Sequence, residues 1–239
     1  MPANAILRKR HTNTMSIDSF ASFTAPLPAG DFLDRAKRET LGVLRGRCAN
    51  DPAQLLPWSD LVDFAVDDVP PEKVRLTRMR ERIPKEFHQA GEHTVRPALE
   101  KLLDHGASLI VSAAHRYRAS FRPVVEDYIA LTDRPVRIGI IASTGADGAL
   151  KRHADPIDLF IVQLTGAKHW TIWAKGAAEG DEPIFEDVLK AGEYLFVPKD
   201  SEHICTPVGD RSLHAGLAFA NEGYDVWGDG SFTGQAGAG

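Results

Sequence analysis

The sequence predicts a mainly β protein, an antiparallel sandwich or barrel preceded by a helical section. From Val136 to Ala220, short apolar runs at 136–142, 158–164, 168–174, 193–198, 203–206 and 212–220 are separated by Gly, Pro and Asp turns. Upstream of them apolar residues recur at roughly helical spacing. No internal repeat of fixed period competes with that reading.

Taken in order, residues 1–28 mix Ser, Thr, Ala and Pro with little periodicity and read as a mobile arm. Phe32, Leu33, Ala36, Leu41 and Leu44 follow at helical spacing, and Ser59 suits the N-cap of a second short helix over 60–66. The stretch 74–83 partly alternates and suits an edge strand, with Arg78, Arg80 and Arg82 on one side. Those arginines fit a solvated strand face or a docking stripe for an acidic peptide. Thr94 to Asp104 reads as a helix, 107–112 as a buried strand after a Gly106 stop, and 121–131 as a helix with Pro123 near its start. The last stretch, 221–239, is rich in glycine and too poor in apolar groups to pack.

Composition narrows the function. With 239 residues, 43% of them hydrophobic, the chain can bury a substantial core. A net charge of −5 argues against bulk nucleic-acid binding, which needs a surplus of Lys and Arg. No apolar run approaches membrane-spanning length, and the basic stretch at Arg8–His11 is not followed by the apolar segment of a signal peptide. Only Cys48 and Cys205 are present, far apart and in no metal-type pair, which points to a reducing cytoplasm.

The candidate chemistry sits at His153 and Asp155. Two residues apart on a strand, they turn to the same side and can grip one ion, with His203 arriving from a neighbouring strand as third ligand. Two imidazoles and one carboxylate suit non-haem Fe(II) and leave coordination positions open, unlike a closed structural zinc site. The pair alone fits a surface or core-satisfied origin equally well, and His214 is a rival third ligand or a neighbour of the cosubstrate. In the stretch 160–173, read as a hairpin turning near Thr165-Gly166, Lys168 shares the parity of Trp170 and Ile172. If that side faces inward, the Lys needs an anion; if Thr171 and Trp173 face inward instead, Lys168 is simply exposed. Cys205 has the parity of His203 and can line the same cavity.

Three stretches in order, His153–Trp170, Leu189–His203 and Ser212–His214, resemble the cupin-like JmjC oxygenases of the ribosomal-oxygenase type. That group hydroxylates His or Arg side chains in proteins. The resemblance runs from about residue 30 to 220 and implies a double-stranded β-helix, the jelly roll of cupins, with helical N-terminal flanks. It implies one catalytic domain over 29–220, with a helical flank to about 105 and the β-helix core from about 106. By the same resemblance His153, Asp155 and His203 match the Fe(II) ligands and Lys168 matches the anchor of the distal carboxylate of 2-oxoglutarate. Oxidative decarboxylation of that cosubstrate would supply the electrons that activate O2.

Family members also carry a helical dimerisation region and a winged-helix domain after the barrel, whereas here the last apolar run ends about twenty residues before Gly239, so a short form is expected. Ala154 and Gly139 stand where many members have a large and a polar residue, which predicts a differently shaped pocket. The expected function is a 2-oxoglutarate-dependent dioxygenase hydroxylating a peptide or protein, at a His β-carbon first and Arg second, with the precursor of a ribosomally made natural product as one substrate class. No nucleic-acid or membrane partner is expected. The alternatives are a cupin metalloenzyme that acts on a small molecule without 2-oxoglutarate, and a non-catalytic barrel stabilised by its metal.

Overall fold

In the computed structural model, residues 20–24, 27–37, 42–220 and 225–227 are described. Five α-helices are present among them: α1 (Ala21–Thr24), α2 (Ala29–Lys37), α3 (Leu61–Asp63), α4 (Arg96–Asp104) and α5 (Arg122–Thr132). The strands are β1 (Leu44–Arg47), β2 (Val74–Arg78), β3 (Glu81–Arg82), β4 (Gln89–Ala90), β5 (His93–Thr94), β6 (Ser108–Val111), β7 (Val136–Ser143), β8 (His153–Ala154), β9 (Leu159–Ile172), β10 (Phe185–Lys190), β11 (Glu193–Val197) and β12 (Glu202–Phe219).

Two long strands organise the fold. The N-terminal half of β9 pairs with β11 and the C-terminal half of β12, and its C-terminal half pairs with β10 and the N-terminal half of β12. Both strands therefore run through two leaves. The larger leaf follows the order β1-β11-β9-β12-β7-β6-β2-β3, and the smaller holds β10, β9, β12 and β8; every pair is antiparallel. A register break between Val208 and Ser212 marks the corner in β12. Gly166 turns the corner in β9 with φ +66°, where an added Cβ would lie 2.0 Å from the Arg211 carbonyl oxygen. This is the jelly-roll double-stranded β-helix that the resemblance implies.

Side-chain alternation gives the larger leaf two different faces. On the outer face Phe160, Phe196 and Phe219 pack with Phe20, Phe32 from α2 and Tyr128 from α5, ring against ring. Between the leaves a smaller apolar group, Ile161, Trp170, Ile172, Leu189, Leu195 and Val197, forms a second core.

Several expectations need correction. The mobile arm assigned to 1–28 lies outside the described residues as far as position 19, but Phe20 and Phe23 are fully buried because their rings complete the outer aromatic cluster. Likewise most of 221–239 is outside the described residues, yet Val226 is buried and its carbonyl meets the buried His115 at 3.1 Å. Leu44 belongs to β1, not to a helix, and the 60–66 helix is a single α turn that widens into a π turn over Phe64–Asp68. The edge strand at 74–83 is a hairpin, β2 turning at Met79 and Arg80 into β3, so Arg78, Arg80 and Arg82 do not share a side.

Candidate metal centre

His153 and His203 are direct register partners across β8 and β12. Asp155 lies just past the end of β8, so the two-residue spacing works across a strand end instead of along one continuous strand. One ligand atom from each of the three residues lies within 4.8 Å of the others. The Asp155 Oδ2 stands 3.7 Å from His153 Nε2 and 3.6 Å from His203 Nε2. Among the described residues this is the one cluster of at least three such donors.

Both imidazoles are oriented from behind. Nδ1 of His153 donates to the Lys151 carbonyl at 2.8 Å, and Nδ1 of His203 to the Ser201 carbonyl at 3.1 Å. A carbonyl only accepts, so the proton of each neutral ring sits on Nδ1 and the Nε2 lone pair faces Asp155. Burial holds the pKa of His203 below the ordinary histidine value, against the opposing Ser201 hydrogen bond, and so favours the neutral ring that a metal requires. Two neutral nitrogens and one carboxylate fit Fe(II), and among the described residues no fourth His, Cys, Asp or Glu joins the cluster to complete a tetrahedral zinc site.

That space opens into a cleft of about 180 Å³ between the leaves. Its floor is Ile110, Ile141, Gly139 and Gly216 from the larger leaf, and its roof includes Trp170, His203 and Cys205. Gly139 and Gly216 line the cleft without adding side-chain bulk.

Lys168 is fully buried on the inner side of β9. Its ammonium donates to His214 Nδ1 at 2.9 Å, and no carboxylate among the described residues pairs with it. Burial pulls its pKa down to about 8, and burial together with Lys168 itself keeps His214 well below the usual histidine range. His214 lines the cleft, whereas Lys168 reaches the cleft wall through it. His214 is thus a partner of the lysine and stands apart from the three-ligand cluster.

Sequence reading missed other polar groups here. Thr77, Ser108, Ser143 and Ser212 form one cross-strand row on the inner face, adjacent to the row that contains His214. Ser108 donates to Ser143 at 2.8 Å, Gln163 donates to Ser212 at 2.9 Å, and the Gln163 Oε1 is buried without a partner. The indole N–H of Trp170 is likewise buried and unpaired. A cluster of unsatisfied polar atoms beside a lone buried lysine marks a place for a polar ligand. Of the two cysteines, both free, Cys205 lines the cleft, and burial pushes the Cys48 thiol up to about 12. No helix among the described residues is long and apolar enough to cross a membrane.

Comparison with known proteins agrees with this geometry. Residues 116–225 match the JmjC domain family. The bifunctional lysine-specific demethylase and histidyl-hydroxylase NO66 of Caenorhabditis briggsae is 31% identical over 80 residues, 26% of this chain and 10% of that protein. Ribosomal oxygenase 1 of Gallus gallus is 31% identical over 93 residues, 32% of this chain and 15% of that protein. Among solved structures, the ribosomal oxygenase YcfD from Escherichia coli superposes with a TM-score of 0.57 at 21% identity, covering 82% of this chain and 52% of that one. Its complex with cobalt and 2-oxoglutarate superposes at 0.56, with 19% identity, 80% of this chain and 52% of that one. The chain therefore spans about half of the solved relatives and a small part of the curated ones. Fold, ligand geometry and the family match agree over that stretch: residues 116–225 are similar to the JmjC domain.

Proposed function

We propose that the protein is an Fe(II)- and 2-oxoglutarate-dependent dioxygenase that hydroxylates a side chain of a peptide or protein. The observation that carries this reading is the convergence of His153, Asp155 and His203 on one position, with a buried lysine nearby that no carboxylate among the described residues pairs with. Iron with 2-oxoglutarate and O2 would supply the oxidation of an unactivated C–H bond.

The residues of the chain would do the rest. His153, Asp155 and His203 hold the metal and leave adjacent positions free. Lys168 supplies an ammonium for the distal carboxylate, and His214, already its partner, keeps that ammonium aimed along the cleft wall. Ile110, Ile141, Ile161 and Trp170 exclude water from the reacting position. No general base is needed, so the lack of a catalytic carboxylate pair is no objection.

The favoured target is a His β-carbon, with Arg second, and the name of the histidyl-hydroxylase relative supports histidine. The precursor of a ribosomally made peptide natural product is one substrate class for this site. The test is incubation with Fe(II), 2-oxoglutarate and O2, with peptides encoded beside the gene. Peptide-dependent succinate release and a mass gain of one oxygen atom are expected; neither appearing would reject the reading.

A further inference from the structure

The inner face of the larger leaf continues beyond the cleft, and what it carries there is basic. His214, Ile141, Ile110 and Arg75 are successive register partners across β12, β7, β6 and β2. The first three line the cleft, so Arg75 extends the same surface one strand outward. Thr77 shares that face, and its register partner on β3 is Arg82. On another flank Arg137 alternates with Gly139 and Ile141 along β7 and lines the cleft itself.

Arg75, Arg82 and Arg137 are exposed, and among the described residues none has a carboxylate within ion-pair distance. Arg45, Arg96, Arg118 and Arg152 each pair with at least one carboxylate. Arg47, Arg78, Arg116, Arg122 and Arg134 do not pair with a described carboxylate either, so what distinguishes Arg75, Arg82 and Arg137 is their place beside the cleft. Partial burial, then the like charge of Arg82, pushes the Arg75 pKa down, with no anion opposing either effect.

Two of these arginines lie on the β2–β3 hairpin. Its turn residues Met79 and Arg80 both adopt left-handed backbone, φ +50° and +62°, a conformation that costs non-glycine residues on the order of 1 kcal/mol or more each. Glu81 forms an exposed ion pair with Lys151, two residues before His153. Arg80 has a buried Nε without a partner, and its charge acts on Cys205 in the cleft wall.

We propose that Arg75, Arg82 and Arg137 form a docking rim for an acidic peptide, so that the substrate segment carries Asp or Glu close to the side chain that enters the cleft. The proposal deepens the reading given under Proposed function, because it names the substrate class of that same site. Guanidinium forks match carboxylates bidentately, and unpaired arginines flanking a side-chain-sized cleft give register as well as attraction. A nucleic acid is the poorer occupant, since the whole chain carries a charge of −5 and phosphate binding relies on many cations.

The test uses the full chain loaded with Mn(II) and 2-oxoglutarate, and labelled short peptides with a central His flanked by Glu, by Ser or by Lys, read by fluorescence anisotropy. Glu-flanked peptides are expected to bind about tenfold or more tightly than Lys-flanked ones, with the gap closing at about 0.5 M salt. Arg75→Glu combined with Arg137→Glu should reverse the order; Arg75→Gln with Arg137→Gln should flatten it, and guards against misfolding of the charge-reversed variant. Equal binding, preference for Lys, binding of no peptide, or tighter binding of a labelled RNA oligonucleotide overturns the rim. Succinate release measured in parallel separates the two claims: charge-selective binding without succinate counts against the oxygenase reading alone, and succinate without charge selectivity counts against the rim alone.

Discussion

The two faces of the larger leaf are built by the same strands and serve opposite ends. Phe160 turns outward into the aromatic cluster with Phe20, Phe32 and Tyr194, while its neighbour Ile161 turns inward to line the cleft. Leu213 is buried in the outer core, while His214 next to it reaches Lys168. The outer face is large, aromatic and well filled. The inner face is open and mixes apolar residues with a histidine, a glutamine and a row of hydroxyls, and Lys168 reaches that histidine from the smaller leaf. Alternation thus lets one β-sheet separate what stabilises the fold from what binds ligand.

Substitutions on each face should separate stability from chemistry. The largest effect is expected at the metal. Asp155→Ala should abolish metal occupancy and lower turnover by about a thousandfold or more, roughly 4 kcal/mol of transition-state stabilisation, with an unchanged melting curve of the metal-free protein. Elemental analysis of the purified protein and succinate assays would check it. On the outer face, Phe160→Ala should instead cost about 3–5 kcal/mol of stability in denaturant titrations. Any metal-site defect in that variant should follow only from the unfolded fraction.

A smaller effect belongs to Lys168. Lys168→Met removes a buried charge that no carboxylate among the described residues neutralises, so the metal-free protein should gain on the order of 1–3 kcal/mol while the 2-oxoglutarate requirement rises sharply. A loss of stability with unchanged cosubstrate affinity would place Lys168 with the structural residues instead. The smallest expected effect is pH dependence. The folded-state pKa of Lys168 is about 8, lowered by burial, so the ammonium that an anion needs is present below that value and lost above it. Binding of 2-oxoglutarate should therefore weaken as pH rises through about 8, approaching tenfold per unit, and this dependence should vanish in Lys168→Met.

Much of this division was legible in the sequence because it rests on local patterns. Apolar runs bounded by turn residues located the main strands, while His153 and Asp155 stood out by spacing and only the family resemblance favoured His203 over His214 as their candidate partner. The rest depended on register, which no local pattern encodes. Thr77, Ser108, Ser143 and Ser212 are ordinary small polar residues until four strands align them. Lys168 and His214 are 46 positions apart and meet only because β9 and β12 bend at the same corner. The hairpin at Met79 and Arg80 was missed because its left-handed turn uses neither Gly nor Asn, the residues that normally signal one. Phe20 and Phe23 lie in a stretch without helical periodicity, and only the aromatic cluster across the leaf explains their burial.

The central claim is that the cleft between the leaves holds a metal and 2-oxoglutarate together. Anaerobic titration of the Fe(II)-loaded protein with 2-oxoglutarate, followed by visible absorbance, reads this directly, since the metal-to-ligand charge-transfer band requires the keto acid to chelate bound iron. The band should appear with the wild-type chain, vanish in Asp155→Ala and require far more 2-oxoglutarate in Lys168→Met. A wild-type protein that binds iron but never develops the band, or an Asp155→Ala variant that still does, would contradict the account.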